Sequence, residues 1–202
     1  MIQAVIWDFG GVLVRTEDKI PRTRLAERLG LTYAQIDQLV FGSPSAFQSA
    51  VGEISAVQHW QSICQTLNLP VEQAARLRQE FFAGDRLDQE LVGYIRSLRP
   101  RYRTALLSNA WDDLRQDLEQ LGLLDVFDET IISAEVRLRK PDLHIFQLAI
   151  NRLGVNPAQA VFVDDFLENI TAARQAGLAA IHFQNPEQAR QELETLLVSV
   201  SM

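Results

Sequence analysis

The 202-residue chain predicts an α/β fold: a doubly wound parallel sheet, with a long helical insertion after its first strand. Three observations lead there. Five short runs are apolar nearly throughout rather than alternating, as parallel strands covered on both faces are. Helical stretches separate the later runs, and strands alternating with helices imply parallel βαβ units. The stretch 15–84 has helical patterns and no convincing strand, and it is too long for an ordinary crossover.

The first strand runs from Ile2 to Trp7 and ends at Asp8. The insertion follows, with Leu25, Leu29, Ile36, Leu39, Val40, Phe47, Val57, Trp60, Ile63 and Leu67 as its candidate interior. The chain returns to the core before Asp88. Thr104 to Leu107 form the second strand, and Leu114, Leu118 and Leu121 recur at helical spacing until Gly122. Thr130 to Ile132 form the third strand. Asp142 then caps a helix carrying Leu143, Phe146, Ile150 and Leu153, with Gly154 just past its end. Val161 to Val163 form the fourth strand, Asn169 to Ala176 a helix closed by Gly177, and Ala179 to Phe183 the last strand. Residues 1–14 and 85–202 are thus expected to form the α/β core, and 15–84 an α-helical cap. The chain has no internal repeat and no low-complexity segment.

Composition narrows the function. The chain is 47% hydrophobic and 22% charged, with a formal net charge of -7, as in soluble globular proteins. An acidic chain without a basic run is a poor nucleic-acid ligand, because neutralising phosphates needs clustered Lys and Arg. The densest basic stretch, Arg96 to Arg103, reads as a solvated helix end and loop. The single cysteine, Cys64, excludes an internal disulfide and reads as a small core residue. No apolar stretch approaches the ~18 to 20 residues of a membrane span. Strand character begins at Ile2 with no secretory pattern before it, so a reducing, cytoplasmic setting is expected. The oligomeric state is not readable.

Four segments stand at strand ends or helix starts: Asp8-Phe9-Gly10-Gly11-Val12, Ser108-Asn109, Lys140-Pro141-Asp142, and Asp164-Asp165 with Asn169 one turn later. In a parallel sheet the C-terminal strand ends share the edge where ligands bind, so these groups are placed to converge. Taken singly they are weak. Asp8 is compatible with a turn cap, Ser108-Asn109 with a simple turn, and Lys140 with a solvated surface charge. The adjacent carboxylates Asp164 and Asp165 are unfavourable without a cation and point to a metal. His59, His144 and His182 lie outside the four segments and read as core or surface residues. Trp7 is expected to pack under the sheet edge.

The ordered set of four segments, with a helical insertion after the first, resembles the haloacid dehalogenase-like hydrolase superfamily over essentially the whole chain. It is similar to the branch with a helical cap, and Asp-Phe-Gly-Gly-Val-Leu resembles that branch's sugar-phosphate phosphatases. The resemblance implies a nucleophilic Asp8 that forms an aspartyl-phosphate. It implies Mg²⁺ held by Asp8, the Gly10 carbonyl and Asp165, with Asp164 acting directly or through water. Lys140 would neutralise Asp8 and the phosphate. The Ser108 hydroxyl and a backbone N–H, such as that of Asn109, would bind the phosphoryl oxygens, and Asn169 would orient the metal shell. The implied partner is a small phosphorylated metabolite, over which the cap closes.

The chain departs from the family pattern at Gly10, where most phosphatases of the family carry a second Asp that protonates the leaving group. General acid–base catalysis is worth about 10²–10⁴-fold, so poor leaving groups should suffer most; Glu17, Asp18 and Glu53 are candidate replacements in the insertion. Two alternatives stay open. A 2-haloacid dehalogenase needs no leaving-group acid, and a catalytically weak binding or regulatory protein on this fold would tolerate Gly10.

Overall fold

The computed structural model describes residues 1–198. Its main sheet has five parallel strands: β1 (Ala4–Trp7), β4 (Arg103–Ser108), β5 (Glu129–Ile132), β6 (Ala160–Asp164) and β7 (Ala179–His182), in the order β5-β4-β1-β6-β7. All five are the expected ones. Strand β1 is central, and all four of its residues are buried. Its side chains alternate between two cores, as a period of two requires. Val5 and Trp7 pack with helices α6 (Gln89–Leu98), α7 (Leu114–Gln120) and α11 (Pro186–Val198). Ala4 and Ile6 pack with α9 (Leu143–Leu153) and α10 (Leu167–Gln175). The sheet is therefore covered on both faces, which explains its unbroken apolar strands.

Helix boundaries follow local chemistry. The Asp142 carboxylate caps α9 by accepting from His144 N–H, and Gly154 ends it in the left-handed region. Helix α10 begins at Leu167, two residues before the expected start, so Asn169 lies within its first turn. Leu121 stays 46% exposed because α7 ends one residue before it. A short helix, α8 (Ser133–Val136), lies between β5 and the Lys140 segment; its single turn left no periodic signal.

Five helices, α1 (Ile20–Arg28), α2 (Tyr33–Phe41), α3 (Pro44–Ala50), α4 (Ala56–Thr66) and α5 (Ala74–Phe81), form the cap. Their own core comprises Leu25, Ile36, Val40, Trp60, Ile63, Cys64, Leu77 and Phe81, among others. Two expected interior residues are corrected. Val57 is 64% exposed and Phe47 43% exposed. Val57 falls out of phase with the buried Ala56, His59, Trp60 and Ile63 of α4, and Phe47 with the buried Ala46, Ser49 and Ala50 of α3.

The insertion is also not joined by loops alone. Strand β2 (Val14–Thr16) pairs antiparallel with β3 (Asp85–Leu87) at the cap's two ends. Thr16 Oγ1 donates to Asp85 at 2.7 Å, and Arg15 bonds Asp88 at 2.8 Å. Three residues a side, none of them buried, were too short to read as strands.

Candidate active site

The sheet register brings the four segments together. Trp7 pairs with Leu106 on one side and Val163 on the other, so Asp8 leaves β1 level with the ends of β4 and β6. Its N–H donates to the Val163 carbonyl at 2.9 Å. The chain order reverses at β1: β4 and β5 lie to one side, β6 and β7 to the other. That crevice is where open α/β sheets place ligands.

Lys140 is the hub. Its ammonium, 1% exposed, lies 2.8 Å from Asp8 Oδ1 and 2.6 Å from Asp164 Oδ2. Asn109 fixes the Lys140 backbone from both sides: the Lys140 N–H donates to Asn109 Oδ1 at 2.8 Å, and Asn109 Nδ2 donates to the Lys140 carbonyl at 2.9 Å. Ser108 is the buried last residue of β4. The Ser133 hydroxyl bonds both backbone groups of Ala110, which holds the loop that follows it.

Asp164 is fully buried and fully engaged. Its Oδ1 accepts from Phe166 N–H at 2.8 Å, and Asn169 Nδ2 donates to both of its oxygens at 3.0 and 3.1 Å. Asp165 differs: its Oδ1 is buried with no hydrogen-bond partner among the described residues. Ligating atoms of Asp8, Asp164 and Asp165 lie within 4.8 Å of one another. Gly11, at φ +82°, allows this approach; a Cβ there would lie 2.2 Å from Asp165 Oδ2. At Gly10 an added Cβ meets nothing within 4 Å.

Three carboxylates share one ammonium. Two ionised carboxylates ~4.8 Å apart repel by about 3 to 4 kcal/mol at an effective dielectric of ~20. Burial pushes Asp8 up to about 7; the Lys140 ammonium opposes this and Asp164 adds to it. Burial, then the Asp164 charge, pushes Asp165 up to about 6. Burial would lower Lys140, but Asp8 and Asp164 outweigh it and hold the ammonium above its usual range. The orphaned oxygen of Asp165 and the all-carboxylate donor set fit a hard divalent cation, which prefers oxygen ligands and favours the ionised forms.

Other residues fall elsewhere. Glu17, Asp18 and Glu53 are exposed, and the Asp18 carboxylate is occupied by Ile20 N–H. His59 and Cys64 are buried in the cap, Trp7 is buried in the core, and His144 is an exposed residue of α9. His182 is more involved than the sequence suggested: its Nε2 donates to the Asp165 carbonyl at 3.0 Å. Sequence reasoning also missed Trp111, which follows the Ser108 segment and packs against the cap core. No helix among the described residues is long and apolar enough to cross a membrane.

The comparisons with known proteins agree with this geometry. The chain is 28% identical to the D-ribitol-5-phosphate phosphatase of Bacteroides thetaiotaomicron, over 98% of this chain and 100% of that one. The structure of a predicted HAD-like family hydrolase of Porphyromonas gingivalis superposes with a TM-score of 0.79 at 26% identity, covering 98% of each chain. A HAD-family enzyme of Bacteroides thetaiotaomicron, in complex with magnesium and inorganic phosphate, superposes with a TM-score of 0.75 at 20% identity, covering 90% of this chain and 93% of that one. The family model for haloacid dehalogenase-like hydrolases matches residues 2–177, and the chain belongs to that family.

Proposed function

We propose that this protein is a Mg²⁺-dependent phosphatase that hydrolyses a small phosphometabolite, with a sugar phosphate as one candidate, through an aspartyl-phosphate on Asp8. The observation that carries this reading is the buried Lys140 ammonium bonded to both Asp8 and Asp164, beside a third carboxylate with an unpartnered oxygen. A phosphatase for D-ribitol 5-phosphate among the relatives, and a fold relative with magnesium and phosphate, support it.

Asp8, Asp165 and the Gly10 carbonyl would hold the cation, with Asp164 acting directly or through water. Bound there, Mg²⁺ supplies positive charge against the phosphate dianion. The protein's own groups do the rest. Asp8 attacks phosphorus, and Phe9 N–H, which donates to Asp8 Oδ1 at 2.7 Å, steadies the carboxylate. Lys140 offsets the charge of Asp8 and of the incoming phosphate. The Ser108 hydroxyl and the Asn109 N–H bind the phosphoryl oxygens, while the Asn109 side chain positions Lys140. Asn169 orients Asp164. Residues 1–14 and 85–202 act as the catalytic unit and 15–84 as the cap that excludes water; the assignment of 199–202 lies outside the described residues.

A phosphate-release screen over sugar phosphates, nucleotides and acyl phosphates, with and without Mg²⁺, tests the reading on wild type and Asp8→Asn. Turnover should require both Mg²⁺ and Asp8. Gly10 favours a second reading, a 2-haloacid dehalogenase, because attack on carbon needs no leaving-group acid. Halide release from a 2-haloacid without Mg²⁺ would replace the first reading by the second. No phosphate release across the panel, with tight binding of a protein partner, would mark a regulatory protein instead.

A further inference from the structure

Trp111 and Phe41 form an aromatic surface with no role in the chemistry described above. Trp111 is the third residue beyond Ser108, so its Cα lies within about 11 Å of the Ser108 Cα. Its ring leaves the core and enters the cap. There it lies 4.7 Å from the His59 ring and 5.9 Å from Trp60, and it stacks on Phe41 at 6.3 Å and 20°. Phe41 ends α2. Its ring is fixed edge-on against Phe81 at 5.5 Å and Phe82 at 6.3 Å, yet the residue is 51% exposed. A rigid, half-exposed aromatic ring costs little to order on binding, and it favours stacked or edge-on aromatic partners.

A separate observation points the same way. Gly10 has no side chain to protonate the departing oxygen, and Glu17, Asp18 and Glu53 are exposed. Substrates whose oxygen leaves without a proton are then favoured. A phenol, with a pKa near 10 like that of tyrosine, leaves as an anion far more readily than an alkanol.

We propose that the Phe41–Trp111 stack seats the substrate's leaving group, and that the preferred substrates are phosphate monoesters of planar aromatic alcohols. This rests on the phosphatase reading above. An Asp8 oxygen forms the bond to phosphorus as the bond from phosphorus to the aryl oxygen breaks. The aryl group departs as phenolate with the bonding electron pair. Water then attacks phosphorus, releasing Asp8 and inorganic phosphate, and its proton ends on the phenolate through solvent.

Three substrates separate the ideas: phenyl phosphate, 2-naphthyl phosphate, and acetyl phosphate, which has a good leaving group and no ring. Phenol and 2-naphthol have similar acidity, so their ratio of kcat/KM reads the ring face. With Mg²⁺, wild type should prefer the naphthyl ester by about three- to tenfold, the scale of one aromatic contact. Phe41→Leu keeps apolar bulk without the ring, and it should bring the ratio within about twofold of one. A wild-type ratio near one, or a ratio unchanged in a folded Phe41→Leu, overturns the inference. If Phe41→Leu does not fold, the wild-type ratio decides alone. Asp8-dependent hydrolysis of acetyl phosphate with no preference for the larger ring would leave the phosphatase reading standing and sink this one. No hydrolysis of any of the three would sink both.

Discussion

If Gly10 leaves the departing oxygen without an acid, Gly10→Asp should extend phosphate release to poorer leaving groups. The backbone permits the change: Gly10 is not among the positive-φ glycines, and a Cβ there meets no atom within 4 Å. A new carboxyl would stand beside Asp8, Asp164 and Asp165. Each ionised neighbour ~6 Å away raises its ionisation cost by about 3 kcal/mol at an effective dielectric of ~20. The added group is thus pushed toward its protonated form, which a general acid needs. Such catalysis is worth about 10²–10⁴-fold, roughly 3 to 5 kcal/mol of barrier. The gain should concentrate where the departing oxygen is basic. In the presence of Mg²⁺, kcat/KM should rise at least about 30-fold on an alkyl ester such as ribitol 5-phosphate. It should rise less than about threefold on 4-nitrophenyl phosphate, whose leaving group needs no proton. Gly10→Ala adds the Cβ without the acid and should reproduce neither change. Equal acceleration of both esters, or none on the alkyl ester in a folded variant, would refute the claim that Gly10 leaves proton transfer unassisted.

Lys140→Met leaves Asp8 and Asp164 facing each other without an ammonium. Breaking a buried pair this way costs about 3 to 5 kcal/mol, so chemical denaturation should show a loss of that size, partly recovered at pH 5, where Asp8 is protonated. The pH dependence of the metal-free protein follows from the raised carboxyls. Between 3.8 and about 7 folded Asp8 keeps a proton the unfolded chain has released, and Asp165 does so between 3.8 and about 6. Stability contributed by these groups is present below 3.8 and is lost as pH rises through that window. Mg²⁺ favours the ionised forms, so its thermal stabilisation should be larger at pH 8 than at pH 5; scanning fluorimetry showing the reverse would contradict the assignment. Gly11→Ala places a Cβ 2.2 Å from Asp165 Oδ2 at φ +82°. It should cost about 1 to 3 kcal/mol in strain and weaken Mg²⁺ binding in calorimetry; unchanged affinity would mean that Asp165 need not hold its position.

What was legible in the sequence, and what was not, divides along physical lines. The five main strands could be read because burial on both faces makes them continuously apolar, as with Ala4 to Trp7. The convergence of Asp8, Lys140 and Asp164 could be read because parallel strands end on one edge. Strands β2 and β3 could not be read, because each pairs only three residues, none of them buried. Phe47 misled because its apolar ring meets the Arg139 guanidinium at 4.7 Å rather than the cap core. His182 was passed over because its contact is to the Asp165 backbone, and backbone partners leave no mark on residue identity. Trp111 is conspicuous in the sequence, yet its ring partners come from the cap, up to 70 positions away at Phe41.

The adjacent carboxylates at the end of β6 show why a motif need not assign its members equally. Successive residues at a strand end point to opposite sides, so Asp164 and Asp165 meet different surroundings. Asp164 is enclosed by Lys140, Asn169 and Phe166 N–H, while Asp165 Oδ1 has no partner among the described residues. Neutralising each should therefore have opposite consequences. In Asp164→Asn an amide N–H₂ must replace one acceptor, facing either the Lys140 ammonium or the Asn169 amide, both donors. The pair is broken and the fold should lose about 3 to 5 kcal/mol with or without Mg²⁺. In Asp165→Asn a half-buried charge that repels Asp164 is removed, so the metal-free protein should be as stable as wild type or more so. Its stabilisation by Mg²⁺ should nearly vanish. Melting temperatures of the two variants, each with and without Mg²⁺, read both outcomes at once. An Asp165→Asn protein that keeps the full Mg²⁺ shift would move the cation away from Asp165, leaving its unpartnered oxygen without an explanation.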